Sequence, residues 1–391
     1  VKKIKLFDRI SAHKLSALGS NYRVGEEIEC PNIAIVRSTS LHEVAIPKSL
    51  ELLVQAGSGT NNIPVASYTE RGIPVFNTPG ANSNAVKELV LAAILLASRN
   101  ICAAWQAVKE IQAPSNREFM SAVERIKKEF KGNELPQKTL AVIGLGQTGV
   151  SVANAAHGLG MRVIGYDDCM SVHNAWRLSH NVLLAQDIMQ ALAQADYVSL
   201  HAPLLTETKS FMNAEYLSVV QPDTVLLNFS RGAIVDNQAI LHALEQNKLG
   251  MYLTDFPDIA FQGNNKIIAL PRLGASTFEA EEQCAEMAVA NIKAYYEQGE
   301  IYNCVNFPEI RAQQAINGNA RIAVIHDNIP GMVAKISSVI SQEGINIINM
   351  VNSSKGHIAY SLLDVNAIDD ALLQKIAQIK HVIKIRRVGF E

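Results

Sequence analysis

The stretch Val142-Ile143-Gly144-Leu145-Gly146-Gln147-Thr148-Gly149 constrains this chain more than any other part of it. An apolar run leads into it and a helical pattern leaves it, so the glycines fall on a strand-to-helix turn. Gly144 permits the tight turn, Gly146 lets a pyrophosphate come up to the backbone, and Gly149 lets the helix pack close to the sheet. The helix start then offers its N–H groups and positive dipole end to the anion. Asp167, at the end of the next apolar run, stands near the spacing of the acid that accepts hydrogen bonds from ribose hydroxyls and repels a 2′-phosphate. Asp168 takes that place if the strand ends one residue later. The motif predicts a doubly wound sheet that binds NAD in preference to NADP.

The surrounding rhythm agrees. Leu140 to Leu145, Arg162 to Tyr166, Tyr197 to Leu200, Thr224 to Phe229, Met251 to Thr254 and Lys266 to Leu270 are β-rich, with helix-sized gaps between them. Ile4 to Phe7, Ile33 to Val36, Leu52 to Val54 and Pro74 to Phe76 repeat the pattern earlier, as buried parallel strands with crossover helices do. Asn84 to Arg99 and Thr277 to Gln298 carry helical spacing, and the second of these returns the chain to the first domain. Ile111 to Pro136 is charged and reads as a solvated arm. Glu309 to Asn319 reads as a linker. Beyond it Arg321 to Ile325, Ile345 to Val351, His357 to Asp364 and Val382 to Arg387 alternate with two helices, Gly331 to Gln342 and Asp369 to Ile379, in a β-α-β-β-α-β order.

The fold class is therefore α/β, with two Rossmann-like parallel-sheet domains followed by a ferredoxin-like unit. The 391 residues allow two or three domains. We place the first at 1–93 and 277–308, the nucleotide-binding domain at 94–276, the linker at 309–319 and the last domain at 320–391. Thirty-five Lys and Arg stand against 37 Asp and Glu, leaving a net charge of −2 and no basic excess for nucleic acid. The longest apolar run, Leu89 to Ala97, is less than half a membrane span, and the first residues lack the apolar core of a signal peptide. The five cysteines are scattered, without a Cys-x-x-Cys pair, so a reduced, cytoplasmic chain with no metal site is expected.

Three further stretches fall where strands of the nucleotide-binding sheet end, the edge at which such sheets bind ligands. They are His201-Ala202-Pro203, Asn228-Phe229-Ser230-Arg231-Gly232 and Arg272-Leu273-Gly274-Ala275-Ser276-Thr277. A cation placed as Arg231 is can hold a 2-oxo or 2-hydroxy carboxylate in bidentate fashion and polarise the carbonyl beside it.

With these residues the chain resembles the D-isomer-specific 2-hydroxyacid dehydrogenases, and among them the D-3-phosphoglycerate dehydrogenase family of serine biosynthesis. The likeness extends to Arg37-Ser38, Gly57-Ser58-Gly59-Thr60-Asn61-Asn62 and the run Gly72 to Gly80. It implies hydride transfer between C2 of a 2-hydroxy acid and NAD. It also implies that Thr78, Gln147, Thr148, Asp167, His201, Thr208, Phe229, Ser230, Arg231, Asp255, Gly274 and Ala275 join the glycines at the cofactor, with Asp255 near the nicotinamide amide. Arg37 and the N–H groups of Gly57, Ser58 and Gly59 would hold the substrate carboxylate, the latter as a nest. The last domain resembles an ACT domain, which implies an amino-acid effector such as serine, held by His326, Asn328 and Asn346 across a dimer interface. His326 and Asn328 could instead cap the helix that begins near Pro330. The arm before Pro136 would supply further contacts in a homodimer or homotetramer.

The pattern breaks in the catalytic set. The family uses an Arg, a Glu and a His; Arg231 matches the first, but Arg272 stands where the His belongs. Arginine stays protonated, so it cannot take the hydroxyl proton. No Glu follows Asp255, and Asp258 is the one nearby acid. Gln55 replaces an Arg that helps many members bind phosphate. Lys87 is a conceivable substitute base, although a helix lysine is more often a solvated residue. Two readings follow: an NAD-dependent oxidoreductase working with altered catalytic residues, Arg231, Arg272 and Asp258, or an impaired relative that senses NAD and amino acids.

Overall fold

The computed structural model describes residues 1–312 and 320–389, so most of the expected linker lies outside the described residues. The first sheet has five parallel strands, β1 (Lys2–Leu6), β2 (Tyr22–Gly25), β3 (Ile33–Val36), β4 (Leu52–Gln55) and β5 (Val75–Phe76), in the order β2-β1-β3-β4-β5. β3 and β4 are buried along their whole length, as a central strand covered on both faces must be. The second sheet is parallel throughout and has seven strands: β6 (Thr139–Ile143), β7 (Arg162–Tyr166), β8 (Leu183–Leu184), β9 (Tyr197–Leu200), β10 (Val225–Asn228), β11 (Met251–Thr254) and β12 (Ile267–Ala269). Its order, β12-β11-β10-β9-β6-β7-β8, reverses direction between β6 and β9. That switch point is where an open α/β sheet opens a crevice for a ligand. The third sheet is antiparallel, β14-β15-β13-β16, from β13 (Ala320–Asp327), β14 (Ile347–Lys355), β15 (Ile358–Val365) and β16 (Val382–Arg387).

The described chain divides into two compact units, 1–82 with 278–391 and 83–277. The reading from sequence set the first boundary after residue 93. The helix Ser83–Ser98 instead clusters whole with the second unit, because Val86, Val90, Ile94 and Ala97 bury one face in the same core as Leu140, Val150 and Ala153. Ile111 to Pro136 contains a helix, Asn116–Ile126, with no buried residue, started by the Ser115 hydroxyl accepting from Glu118 N–H. No single described helix is long and apolar enough to cross a membrane; Ser83–Ser98 and Ile101–Glu110 meet that test only as a pair bent by 60°.

Within the first unit the four-stranded sheet buries both faces. One face, with Ile322, Val324 and Leu363, packs on its own helices Met332–Gln342 and Asp370–Ala377 through Ile336, Ile340, Leu372 and Ile376. The other face, with Ala323, Ile325, Tyr360 and Leu362, shares a core with Tyr295, Tyr296 and Phe307. The helix Phe278–Lys293 runs on into a π-turn at Ala294–Gln298 and stops at Gly299, whose φ of 76° is left-handed. A Cβ there would meet Leu362 at 2.6 Å. The sheet satisfies the carbonyls that this helix end leaves open. Arg386 donates to Tyr295 O at 2.5 Å, Arg321 to Gln298 O at 2.9 Å and Tyr360 to Gly299 O at 2.8 Å. The Arg386 guanidinium also lies 3.9 Å from the centre of the Tyr295 ring, a cation–π contact. Arg321 meets Asp364 in a buried fork, Nε to Oδ1 at 2.6 Å and Nη2 to Oδ2 at 3.0 Å.

Candidate active site

The glycine turn connects β6 to the helix Gln147–Gly158. Gly144 has φ 95°, and a Cβ on it would stand 2.7 Å from Ala202 N, so only glycine fits between this turn and the end of β9. A Cβ on Gly149 would stand 1.9 Å from Gly144 O, which fixes how closely the helix approaches the sheet. Gly146 differs, because nothing lies within 4 Å of the position its Cβ would take. It is the N-cap residue of a helix that no side chain caps. The space beside it is therefore open, and among the described residues no side chain caps the helix N–H groups there, as a pyrophosphate cradle requires. Gly149→Ala should consequently unfold the turn and lower the melting temperature. Gly146→Ala should leave the melting temperature nearly unchanged while weakening NADH binding at least tenfold, measured by fluorescence titration; equal loss of stability in both variants would contradict this division.

Asp167 reaches back to the turn. Its Oδ2 accepts from Leu145 N–H at 2.5 Å and its Oδ1 from Cys169 N–H at 2.8 Å. Each oxygen keeps a lone pair for a ribose hydroxyl. Asp168 instead accepts from the Tyr166 hydroxyl and is exposed. Gln147 and Thr148 open the helix, with Thr148 Oγ1 on Ser83 Oγ at 3.1 Å. These residues fit a dinucleotide with a free 2′-hydroxyl.

Across the switch point, His201 bonds Ser199 Oγ at 2.8 Å, and burial pushes its pKa down to about 4. It is neutral at pH 7 and holds its place by that bond. Ser199 went unnoticed in the sequence, although a serine two residues before a histidine on one strand shares its face. Thr208 is committed to its own loop, donating to Pro203 O at 2.6 Å and accepting from Leu205 N–H at 2.7 Å. Asn228, which opens the second of the three sheet-edge stretches, is fully buried and clamps the next turn, donating to Arg231 O at 3.0 Å and accepting from Ser230 N–H at 3.2 Å. Ser230 Oγ donates to Ala202 O at 2.6 Å, tying this turn to the one after β9. Phe229 is buried beneath it.

Arg231, Asp255 and Arg272 follow the ends of three neighbouring parallel strands, β10, β11 and β12. Asp255 is taken up by the third loop: Oδ1 accepts from Leu273 N–H at 2.6 Å and Oδ2 from Gly274 N–H at 2.7 Å. Burial pushes its carboxyl up, against the pull of those N–H groups and of Arg272. Ala275 continues this loop. Arg272 has φ 60°, a left-handed conformation uncommon for a residue with a Cβ, in the loop that the Asp255 bonds hold. Burial and then the like charge of Arg272 push the Arg231 pKa down. Among the described residues neither arginine forms a salt bridge. Asp258, expected to assist catalysis, is exposed and spent: Oδ1 accepts from Ala260 N–H at 3.0 Å and Oδ2 from Asn237 Nδ2 at 2.9 Å.

In the first unit Gly57 to Gly59 follow β4, where Asn77 Nδ2 donates to Ser58 O at 2.8 Å. The N–H groups of Ser58 and Gly59 have no acceptor among the described residues. Arg37 pairs with Glu281 at 2.5 Å. Gln55 is buried and donates to Arg37 O at 2.8 Å. Thr78 is fully buried, its N–H on Gly57 O at 3.0 Å. In the third sheet His326 is 2% exposed and bonded through both ring nitrogens, to Asp327 O at 2.8 Å and Ser361 Oγ at 2.9 Å. Asn328 donates to Gly356 O at 3.0 Å. Neither caps the following helix, whose N-cap is Gly331 with φ 85° and no side-chain bond. Asn346 lies at the opposite end of the sheet by strand register, beside a groove lined by Ser337, Ser338, Ser341 and Gln342.

Residues 91–277 match the model of the D-isomer specific 2-hydroxyacid dehydrogenase NAD binding domain, so the sheet and its glycine turn define an NAD-dependent oxidoreductase. Residues 322–387 match that of an AHAS small subunit-like ACT domain. The D-3-phosphoglycerate dehydrogenase of Haemophilus influenzae is 32% identical over 340 residues, covering 84% of this chain and 78% of that protein. That of Escherichia coli K12 is 29% identical over 364 residues, 90% of this chain and 84% of that one. The chain belongs to the D-3-phosphoglycerate dehydrogenase family. Among solved structures, an acyclic imino acid reductase in complex with NADPH and D-Arg has a TM-score of 0.64 at 25% identity, covering 78% of this chain and 99% of its own. The NAD+-bound 3-phosphoglycerate dehydrogenase of Entamoeba histolytica shares the fold, with a TM-score of 0.63 at 22% identity over 78% of this chain and 98% of its own.

Proposed function

We propose that this protein interconverts a D-2-hydroxy acid and its 2-oxo acid with NAD(H), the pair being 3-phosphoglycerate and 3-phosphohydroxypyruvate, under control of an amino acid such as serine. The reading is carried by the glycine turn after β6, with Asp167 bonded across it and Arg231 two strands away, after β10, at the same sheet edge. A dinucleotide held at the glycine turn and Asp167 would supply the hydride chemistry at C2. Arg231 holds the substrate carboxylate and polarises the C2 carbonyl, its charge sharpened by partial burial. Asp255 sets the shape of the loop that carries Arg272. Residues 1–82 with 278–308 act as the substrate domain, where the nest at Ser58 and Gly59 offers N–H groups to a carboxylate.

For the effector, His326 and Asn328 stand at one end of the ACT sheet and Asn346 at the other, so one site using all three takes two copies of the chain. A homodimer or homotetramer supplies them, with the exposed arm, which carries Met120, as a second contact. The cofactor assignment is tested by calorimetric titration. NADH should bind at least tenfold tighter than NADPH, because Asp167 meets a 2′-phosphate as like against like. Tighter NADPH binding would overturn the assignment.

A further inference from the structure

We propose that Asn77 and Asn291 are positioning residues that aim the two N–H groups of the nest at Ser58 and Gly59. The inference rests on the proposed role of that nest in holding the substrate carboxylate, and goes beyond it in assigning what orients the nest. A peptide unit is planar and trans, so its N–H points away from its C=O. The Ser58 N–H shares a unit with Gly57 O, and the Gly59 N–H shares one with Ser58 O. Both carbonyls are fastened by the residues that follow β5: Gly57 O accepts from Thr78 N–H at 3.0 Å and Ser58 O from Asn77 Nδ2 at 2.8 Å. The two N–H groups are thereby turned to the opposite side, where among the described residues neither has an acceptor. Hydrogen bonds in a chain polarise one another, so each fastened carbonyl also makes its N–H a stronger donor.

Asn77 is itself held from behind. Its main-chain N–H donates to Asn303 O at 2.9 Å, and its O accepts from Asn291 Nδ2 at 3.0 Å. Asn291 lies on the helix Phe278–Lys293 and is fully buried, with Oδ1 accepting from Asn303 Nδ2 at 3.2 Å. Asn303 has φ 55°, a left-handed conformation in which asparagine is enriched. A buried amide is costly unless it is bonded, and a leucine would fill a similar volume without that cost. What the amide adds is direction: it fixes the main chain from which the Asn77 side chain reaches Ser58 O.

The test compares D-3-phosphoglycerate with glycerol 3-phosphate, which carries the phosphate but no carboxylate, by calorimetry on the whole chain saturated with NADH. The natural protein should bind the acid more tightly. Asn77→Ala, which keeps the main-chain bonds, should weaken the acid about 10-fold and leave glycerol 3-phosphate unchanged. Asn291→Leu should act in the same direction, and the double variant should lose no more than Asn77→Ala alone, because both act through one bond. Should Asn291→Leu not fold, Asn303→Gly takes its place, since it keeps the left-handed turn and frees the Asn291 amide. An acid preference retained in Asn77→Ala, or retained when Asn291 is replaced or freed, overturns the inference. So does an equal weakening of both ligands, or a fall in melting temperature alone, either of which marks a purely structural role. A natural protein that binds NADH yet prefers neither ligand would overturn the reading of the nest, and this inference with it.

Discussion

Reduction of 3-phosphohydroxypyruvate by NADH should proceed with a kcat/KM below about 10⁴ M⁻¹s⁻¹, under the ordinary enzymatic range, and should change little between pH 6 and 9. Hydride addition leaves an alkoxide that needs a proton, and among the described residues that follow β9 to β12 no side chain exchanges one in that window. Arg272 keeps its proton throughout. His201 stays neutral, with a pKa of about 4, and is bonded to Ser199. Asp258 has both oxygens engaged. Arg231 can stabilise the alkoxide, and water then delivers the proton.

A positioned general acid contributes about 10²–10⁴-fold, which is the deficit to expect. Arg272→His should recover part of it and add a limb to the pH profile near the ordinary histidine pKa of about 6.5. Histidine also tolerates the left-handed backbone at this position better than arginine does. Ala260→Glu combined with Arg272→His should recover more, by giving the imidazole a carboxylate to orient it. A natural rate within the range of about 10⁴–10⁸ M⁻¹s⁻¹, with a titrating limb of its own, would show that another group supplies the proton.

Arg321→Met should be the most destabilising single change in the ACT sheet, by about 3–5 kcal/mol in denaturant melts at pH 7. The two side chains are 5% and 9% exposed, so removing the arginine leaves the Asp364 carboxylate charged, buried and unpaired. It also strips Gln298 O of its donor. Protonation would remove the buried unpaired charge, so the deficit should be smaller in acid than at pH 7. Adding Asp364→Leu should recover most of the loss, since a buried pair replaced as a whole by apolar groups is often neutral. A single variant that loses less than about 1 kcal/mol, or a double variant no better than the single, would contradict this account of the pair.

Much of the fold is legible in the sequence because central parallel strands are buried on both faces and show as unbroken apolar runs. β3, β7, β9 and β11 fall on the residues expected of them. β2 and β8 escape notice for the opposite reason: Tyr22–Gly25 is mostly exposed and Leu183–Leu184 has only two residues, both at a sheet edge. The site divides in the same way. Glycines betray themselves, because only they fit where a Cβ would strike Ala202 N or Gly144 O. The commitments of Asp255, Asp258 and Thr208 do not, since a carboxylate or hydroxyl near a turn reads alike whether it meets a ligand or a backbone N–H. Which it meets depends on loop geometry accurate to a few tenths of an ångström. Ser199 hides for a related reason, as a short polar residue near the end of an apolar strand.

The seating of the antiparallel sheet on the end of the helix after Phe278 alters what deletion means for this protein. In a chain ending at residue 312, the carbonyls of Tyr295, Gln298 and Gly299 lose their donors, and the rings of Tyr295, Tyr296 and Phe307 lose a neighbour. Such a truncated chain would not be a desensitised enzyme but a damaged one, with an apolar wall bared to water and open to aggregation. Exchanging the ACT domain for one from a relative would fail unless the graft brought with it an arginine on its last strand and a tyrosine on its third, because here those side chains belong as much to the host as to the module.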